Sequence, residues 1–173
     1  MIKGNLRPYE FFETKGVGES ALEIHAGSYH MALNSAGISD YNILTYSSVL
    51  PKDAILVDRT KLELMPPMPF GSELKCIMGV CNAEESEQCS AGIVYGWLYD
   101  NQEKIGGLAC EVAGNYPEDE LLYRLEQVIR ELHITTYSQY NLDGLKYITS
   151  CFVPQKRYGT ALAALCFVSY KEN

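Results

Sequence analysis

The chain has 173 residues, enough for one ordinary domain with a single core. Hydrophobic residues make up 47% and charged residues 21%, so a core can be buried and a disordered chain is excluded. Fourteen Lys and Arg against 22 Asp and Glu give a net charge of −8, which leaves no basic surface for a phosphate backbone and argues against nucleic acid as a partner.

Along the chain, Gly16-Val17-Gly18-Glu19-Ser20 reads as a Gly-rich turn. It is not a phosphate loop, because no Gly-Lys-Ser/Thr follows it. Residues 28–34 predict a short helix with Ala32 and Leu33 on its buried side and Gly37 in the place of a C-terminal cap. Tyr41 to Tyr46 is rich in aromatic and β-branched residues and predicts a strand that runs into a tight turn at Ser47-Ser48, ahead of Pro51. Further strands are expected over 54–57, 73–80, 90–99, 105–112, 145–152 and 160–170. The run from Met65 to Pro69 reads as an extended loop, because its prolines lack donors. Glu118 to His133 places Leu121, Leu125, Val128, Ile129 and Leu132 at helical spacing, with Pro117 and three acids at its start. Strands in runs with few helices predict an α+β domain with its helices packed on sheet faces.

No apolar run approaches the roughly 20 residues that a bilayer requires, and residues 1–8 do not read as a signal peptide, so a cytoplasmic protein away from membranes is expected. The six cysteines, at 76, 81, 89, 110, 151 and 166, lack Cys-x-x-Cys spacing. A zinc site from Cys76, Cys81, Cys89 and His133 therefore has little support, and buried free thiols are expected. His133 reads as a cation at a helix C-terminus. No Ser sits in a Gly-x-Ser-x-Gly elbow, so a hydrolase triad is not indicated. Glu111 stands alone between Leu108-Ala109-Cys110 and Val112-Ala113-Gly114. Facing the core, it would be held protonated by desolvation and suited to general acid work; facing water, it would be an ordinary surface carboxylate. Period-two alternation allows either.

The turn Ala36-Gly37-Ile38, the strand segment Asn42-Ile43-Leu44 and the segment Ser47-Ser48-Val49-Leu50-Pro51 together resemble the self-cleavage region of the pyruvoyl-dependent arginine decarboxylases. Gly16 to Ser20, Gly106-Gly107, Glu111 and Tyr158 to Leu165 follow the same pattern in order. The resemblance implies an α+β fold built as a four-layer αββα sandwich. It also implies a homotrimer, or a multiple of one, with active sites between subunits. Self-cleavage at Ser47-Ser48 would yield chains 1–47 and 48–173, with Asn42 polarising the carbonyl. The cofactor would be a pyruvoyl group made from Ser48, with neither pyridoxal phosphate nor a metal. That group would condense with the amine of a small amino-acid substrate as a Schiff base, and Glu111 would protonate the product carbon. Substrate contacts would come from His30, Leu33, Ser47 and Val49, and the reaction would convert arginine to agmatine.

His30 stands where the family carries an Asp for the substrate guanidinium, a contact that a neutral imidazole cannot make in bidentate form. Either Glu19, Glu23 or Asp40 takes that role, or the substrate is another amino acid such as histidine or aspartate. A non-catalytic, uncleaved member of the fold is the remaining alternative.

Overall fold

The computed structural model describes residues 6–22, 25–59 and 68–172. Just over half of the described residues are in strands. β1 (Leu6–Pro8), β2 (Glu10–Ser20), α1 (His25–Ser35), β3 (Asn42–Thr45), β4 (Val49–Pro51) and β5 (Ile55–Leu56) are followed by three 12-residue strands, β6 (Glu73–Glu84), β7 (Cys89–Asp100) and β8 (Glu103–Gly114). Then come α2 (Glu118–Thr136), β9 (Asn141–Phe152), β10 (Tyr158–Phe167) and β11 (Tyr170–Glu172).

The strands form a five-stranded sheet in the order β3-β6-β10-β2-β5, a four-stranded sheet in the order β4-β8-β7-β9, and a small β1-β11 pair. The two large sheets pack face to face through Phe11, Ile77, Ile93, Tyr95, Ala109 and Leu165. Alternation then turns the neighbouring residues outward. Phe12, Leu162 and Cys166 meet Ala32 and Leu33 of α1, while Val94, Leu98 and Leu108 meet Leu121, Leu125 and Ile129 of α2. Each fully buried leucine of α2 contributes on the order of 2 kcal/mol by leaving water. The result is a single mixed α+β sandwich, the class expected from the sequence.

α2 begins after Pro117, carries Glu118, Asp119 and Glu120 in its first turn and His133 in its last. The acids suit the positive end of the helix dipole. His133 places its Nε2 2.8 Å from the Tyr140 carbonyl oxygen. Five of the six cysteines are buried, Cys151 is half-buried, and all are free.

The Gly-rich turn expected over 16–20 is a correction: those residues lie inside β2. A Cβ at Gly16 would fall 2.2 Å from the Ala32 carbonyl oxygen, and one at Gly18 2.3 Å from the Ala32 nitrogen. The glycines serve close approach of α1 to the strand, not a reversal of the chain. Other differences are of extent. α1 starts at His25, the segment expected over 54–57 is strand only at Ile55–Leu56, and the strand expected over 160–170 ends at Phe167 before β11. Residues 65–67 of the expected proline loop, and Glu23, lie outside the described residues; Met68 and Pro69 belong to neither helix nor strand.

Candidate active site

β3 is the edge strand of the five-stranded sheet and runs parallel to β6. The Asn42 N–H donates to the Ser72 carbonyl at 2.9 Å, and the pairing persists to Tyr46, whose N–H donates to the Cys76 carbonyl at 2.8 Å. Two residues later the chain belongs to the other sheet: the Ala109 N–H donates to the Ser48 carbonyl at 2.9 Å, and Val49, Leu50 and Pro51 pair with Leu108, Gly107 and Gly106 of β8. The Ser47-Ser48 peptide therefore spans the step from one sheet to the other. At that step the Val49 N–H donates to the Ser47 carbonyl at 3.1 Å, closing a three-residue turn centred on Ser48. Ser47 is exposed and Ser48 half-buried.

Glu111 lies on β8, two residues beyond Ala109. Ala109 packs between the sheets, and alternation sets Glu111 on that same face. It is nonetheless exposed, because β4 pairs with β8 no further than Leu108 and leaves the rim between the sheets open. Its Cβ lies against Gly79 of the facing strand β6, where an added Cβ would stand 3.3 Å away. The carboxylate is thus at the mouth of the inter-sheet space, not in an apolar core. Ser48 is level with Ala109, so Glu111 occupies the diagonal position, a separation of about 7–8 Å that a long side chain can bridge. Next to it, burial pushes the Cys110 thiol up to about 11, and the Glu111 charge adds to the shift.

The other candidates lie apart. The Asn42 side-chain amide donates to the Gly71 carbonyl at 2.6 Å, at the far end of β3. Four extended residues, about 13 Å, separate it from Tyr46, so within one chain it does not reach the Ser47 carbonyl. His30 is on the exposed face of α1, and Leu33 is buried beneath that helix against the outer face of the five-stranded sheet. A whole sheet stands between this pair and Ser48. Val49 is 54% exposed. Of the alternatives to His30, Glu19 accepts the Gln155 backbone N–H at 2.8 Å, and Asp40 is exposed on the loop before β3. The main-chain groups of Ala109 and Val49, and the bare Cα of Gly79, carry no side-chain signal by which the sequence marks them.

Among the described residues no group of three or more His, Cys, Asp and Glu could hold a metal ion, and no helix is long and apolar enough to cross a membrane.

An α+β sandwich with a serine pair stepping between its sheets and a carboxylate at the neighbouring rim falls among the decarboxylases. The chain belongs to the pyruvoyl-dependent arginine decarboxylase family, whose model matches residues 10–172. It is 29% identical to the pyruvoyl-dependent arginine decarboxylase AaxB of Chlamydia muridarum, over 99% of this chain and 96% of that protein. The corresponding protein of Chlamydia abortus is 28% identical over the same shares. A pyruvoyl-dependent arginine decarboxylase of Picrophilus torridus is 27% identical over 76% of this chain and 70% of its own length.

Proposed function

We infer that the protein cleaves itself between Ser47 and Ser48 and decarboxylates L-arginine to agmatine with a pyruvoyl group derived from Ser48. The observation that carries this is the Ser47-Ser48 peptide itself. It bridges two sheets, its Ser47 carbonyl is held by the Val49 N–H, and the Ser48 carbonyl is fixed by the Ala109 N–H. These contacts fix the main chain on both sides of the residue whose hydroxyl must attack that carbon. They fit a group formed in place at residue 48, with its carbonyl neighbour anchored to β8.

Once formed, the pyruvoyl carbonyl supplies an electron sink for the carboxylate that leaves. The chain's own residues do the rest. Glu111, at the diagonal position from Ser48, delivers a proton to the substrate α-carbon after CO2 departs. The open rim beside it lets the amino acid in, and Ser47 and Val49, both exposed, are the residues we assign to its approach. Asn42 holds the segment before β6 to the start of β3 and so steadies the strand that leads to the cleavage point.

Within one chain the rim is open on its outer side, and His30 lies behind a sheet. Both features support a homotrimer, or a multiple of it, in which the α1 face of a neighbouring copy closes the site with His30 and Leu33. The four-layer αββα sandwich of the family is the arrangement we assign to the fold: α1, the five-stranded sheet, the four-stranded sheet and α2. Neither pyridoxal phosphate nor a metal enters this scheme. A cytoplasmic protein accords with the substrate.

His30 favours a second reading, in which the same chemistry acts on histidine or aspartate. An imidazole at that position lacks the paired acceptors that a guanidinium requires. Intact mass under denaturing conditions, followed by release of CO2 from a panel of amino acids, tests both. Two fragments ending at Ser47 and beginning at a blocked residue 48, with turnover of arginine alone, are expected. A single 19.4 kDa species that persists on incubation is the outcome that sinks the scheme.

A further inference from the structure

β4 is the outermost strand of the four-stranded sheet, with β8 on one side and, among the described residues, no strand on the other. Successive residues of a strand direct their main-chain groups to opposite sides. The Ser48 carbonyl faces β8, where it meets the Ala109 N–H. The Val49 N–H therefore faces away from β8, toward the outer edge of the sheet. It is satisfied instead by turning back to the Ser47 carbonyl at 3.1 Å. An edge strand that spends its free donor on the carbonyl two residues upstream is unusual in purpose, because that carbonyl is the one attacked if Ser47-Ser48 is the bond that breaks.

We propose that the main-chain N–H of Val49 is the donor that stabilises the oxygen of Ser47 while negative charge develops on it during self-cleavage. The inference rests on the reading of Ser47-Ser48 as the processed bond. The Ser48 Oγ adds to the Ser47 carbonyl carbon, and the π electrons of that carbonyl move onto its oxygen, which carries the negative charge and accepts the hydrogen bond donated by the Val49 N–H. As the carbonyl re-forms, the bond from carbon to the Ser48 nitrogen breaks, and the nitrogen takes up the proton that left the hydroxyl. A peptide becomes an ester with a free amine, and no co-reactant is consumed. The Asn42 amide, engaged with Gly71 about 13 Å along the strand from Tyr46, is not available for this contact in the same chain. The Val49 side chain plays no part in it.

The test removes single N–H groups from the full chain. Ligation at Lys75-Cys76 allows residues 1–75 to be synthesised with either Val49 or Leu50 replaced by its α-hydroxy acid, which exchanges one amide for an ester. Leu50 is the control: its N–H faces β8 across from Gly107, so its loss removes a ladder hydrogen bond from the same strand but nothing from the Ser47 carbonyl. The fraction cut between residues 47 and 48 is followed by intact mass. The expected result is a slowing of about 100-fold for the change at 49, the loss typical of one oxyanion donor, and a change of no more than a few-fold at 50. Cleavage of the 49 form at the parent rate, or equal slowing of both forms, overturns the proposal. Should the ligated chains not fold, the recombinant Val49→Pro variant gives a second measurement, because proline also lacks the N–H. In hydroxylamine, which cuts esters, it is expected to release no 1–47 fragment, and release at the parent rate overturns the assignment. A parent chain that is never cut at this bond fails the underlying reading instead, whatever Val49 does.

Discussion

The Tyr95 hydroxyl donates to Glu13 Oε1 at 2.5 Å, joining the four-stranded sheet to the five-stranded sheet through their shared interior. Tyr95 is 1% exposed, and burial, with the Glu13 charge beside it, pushes its pKa well above the usual phenol value. The phenol therefore stays protonated and remains a donor throughout the physiological range. Tyr95→Phe would keep the ring against Phe11 and leave the half-buried Glu13 carboxylate short of its donor. A loss of about 1–3 kcal/mol is expected, read from the urea midpoint. Glu13→Gln, which still presents an acceptor oxygen, is expected to cost less than Tyr95→Phe. The opposite ranking would contradict this account of the pair.

Ser48→Ala removes the only hydroxyl in the turn able to attack the Ser47 carbonyl. The variant should appear as one 19.4 kDa species by mass spectrometry and form no agmatine. Ser47→Ala, which keeps the attacking group, should still be cut. Decarboxylation by Ser48→Ala would remove residue 48 from the chemistry.

Glu111→Gln keeps the shape of the side chain assigned to deliver the proton and removes the proton. Processing should proceed, because Glu111 makes no contact in the turn, while kcat falls by a factor of about 10²–10⁴. Measuring both on one preparation separates cofactor formation from turnover. An unimpaired kcat would reassign the acid.

Gly16→Ala would place a methyl group 2.2 Å from the Ala32 carbonyl oxygen and 2.7 Å from the Ala36 nitrogen. Both are backbone atoms of α1 or its end and cannot rotate away, so the helix must lift from β2. We expect about 3 kcal/mol of lost stability, at the upper end of overpacking effects. Chemical denaturation reads it directly, and a midpoint equal to the parent's would mean that α1 is more loosely seated than its contacts indicate.

Asp53 accepts a hydrogen bond from Lys171 Nζ at 3.1 Å, and Arg7 lies 3.3 Å from the same oxygen. The Lys171 hydrogen bond, joined by the charge of Arg7, holds this carboxyl below its ordinary range. A carboxyl with a lowered folded-state pKa contributes stability that is fully present above its unfolded value of about 3.9 and is lost as the pH falls through the folded value. The difference in urea midpoint between the parent and Asp53→Asn should therefore be constant above about pH 5 and shrink below about pH 4. A difference that grows on acidification would reverse the sign.

Much of the sandwich was legible because its strands alternate in the ordinary way. The expected β7 and β8 share their centres with the observed strands and fall short at both ends, the expected β6 starts correctly and stops four residues early, and the helically spaced leucines of α2 place it within three residues of its observed end. β2 was missed for a physical reason. The face it turns to α1 reads Phe12, Thr14, Gly16, Gly18, Ser20, so the apolar signal fades where the helix comes closest. Residue type marks Ser48 and Glu111 as candidates in the sequence, whereas the main-chain groups around them carry no such mark. Nothing in the letters at 109 or 49 announces a backbone N–H aimed at a neighbouring carbonyl. The surroundings of Glu111 misled for a related reason: its neighbours in sequence are apolar, but the strand that would cover it stops at Leu108.

The step between the sheets at Ser47-Ser48 also governs what a cut molecule can do afterwards. Residues before the step carry β2, which lies between β10 and β5, and β3, which lies beside β6; every one of those neighbours belongs to the other piece. Denaturing a cut molecule would set two separate polymers diffusing, and recovery would become second order, slower with each dilution. The uncut chain closes the same contacts at fixed effective concentration. If the chain cleaves itself as proposed, folding would come first and scission second, and the finished protein would preserve in its shape a connection it no longer has.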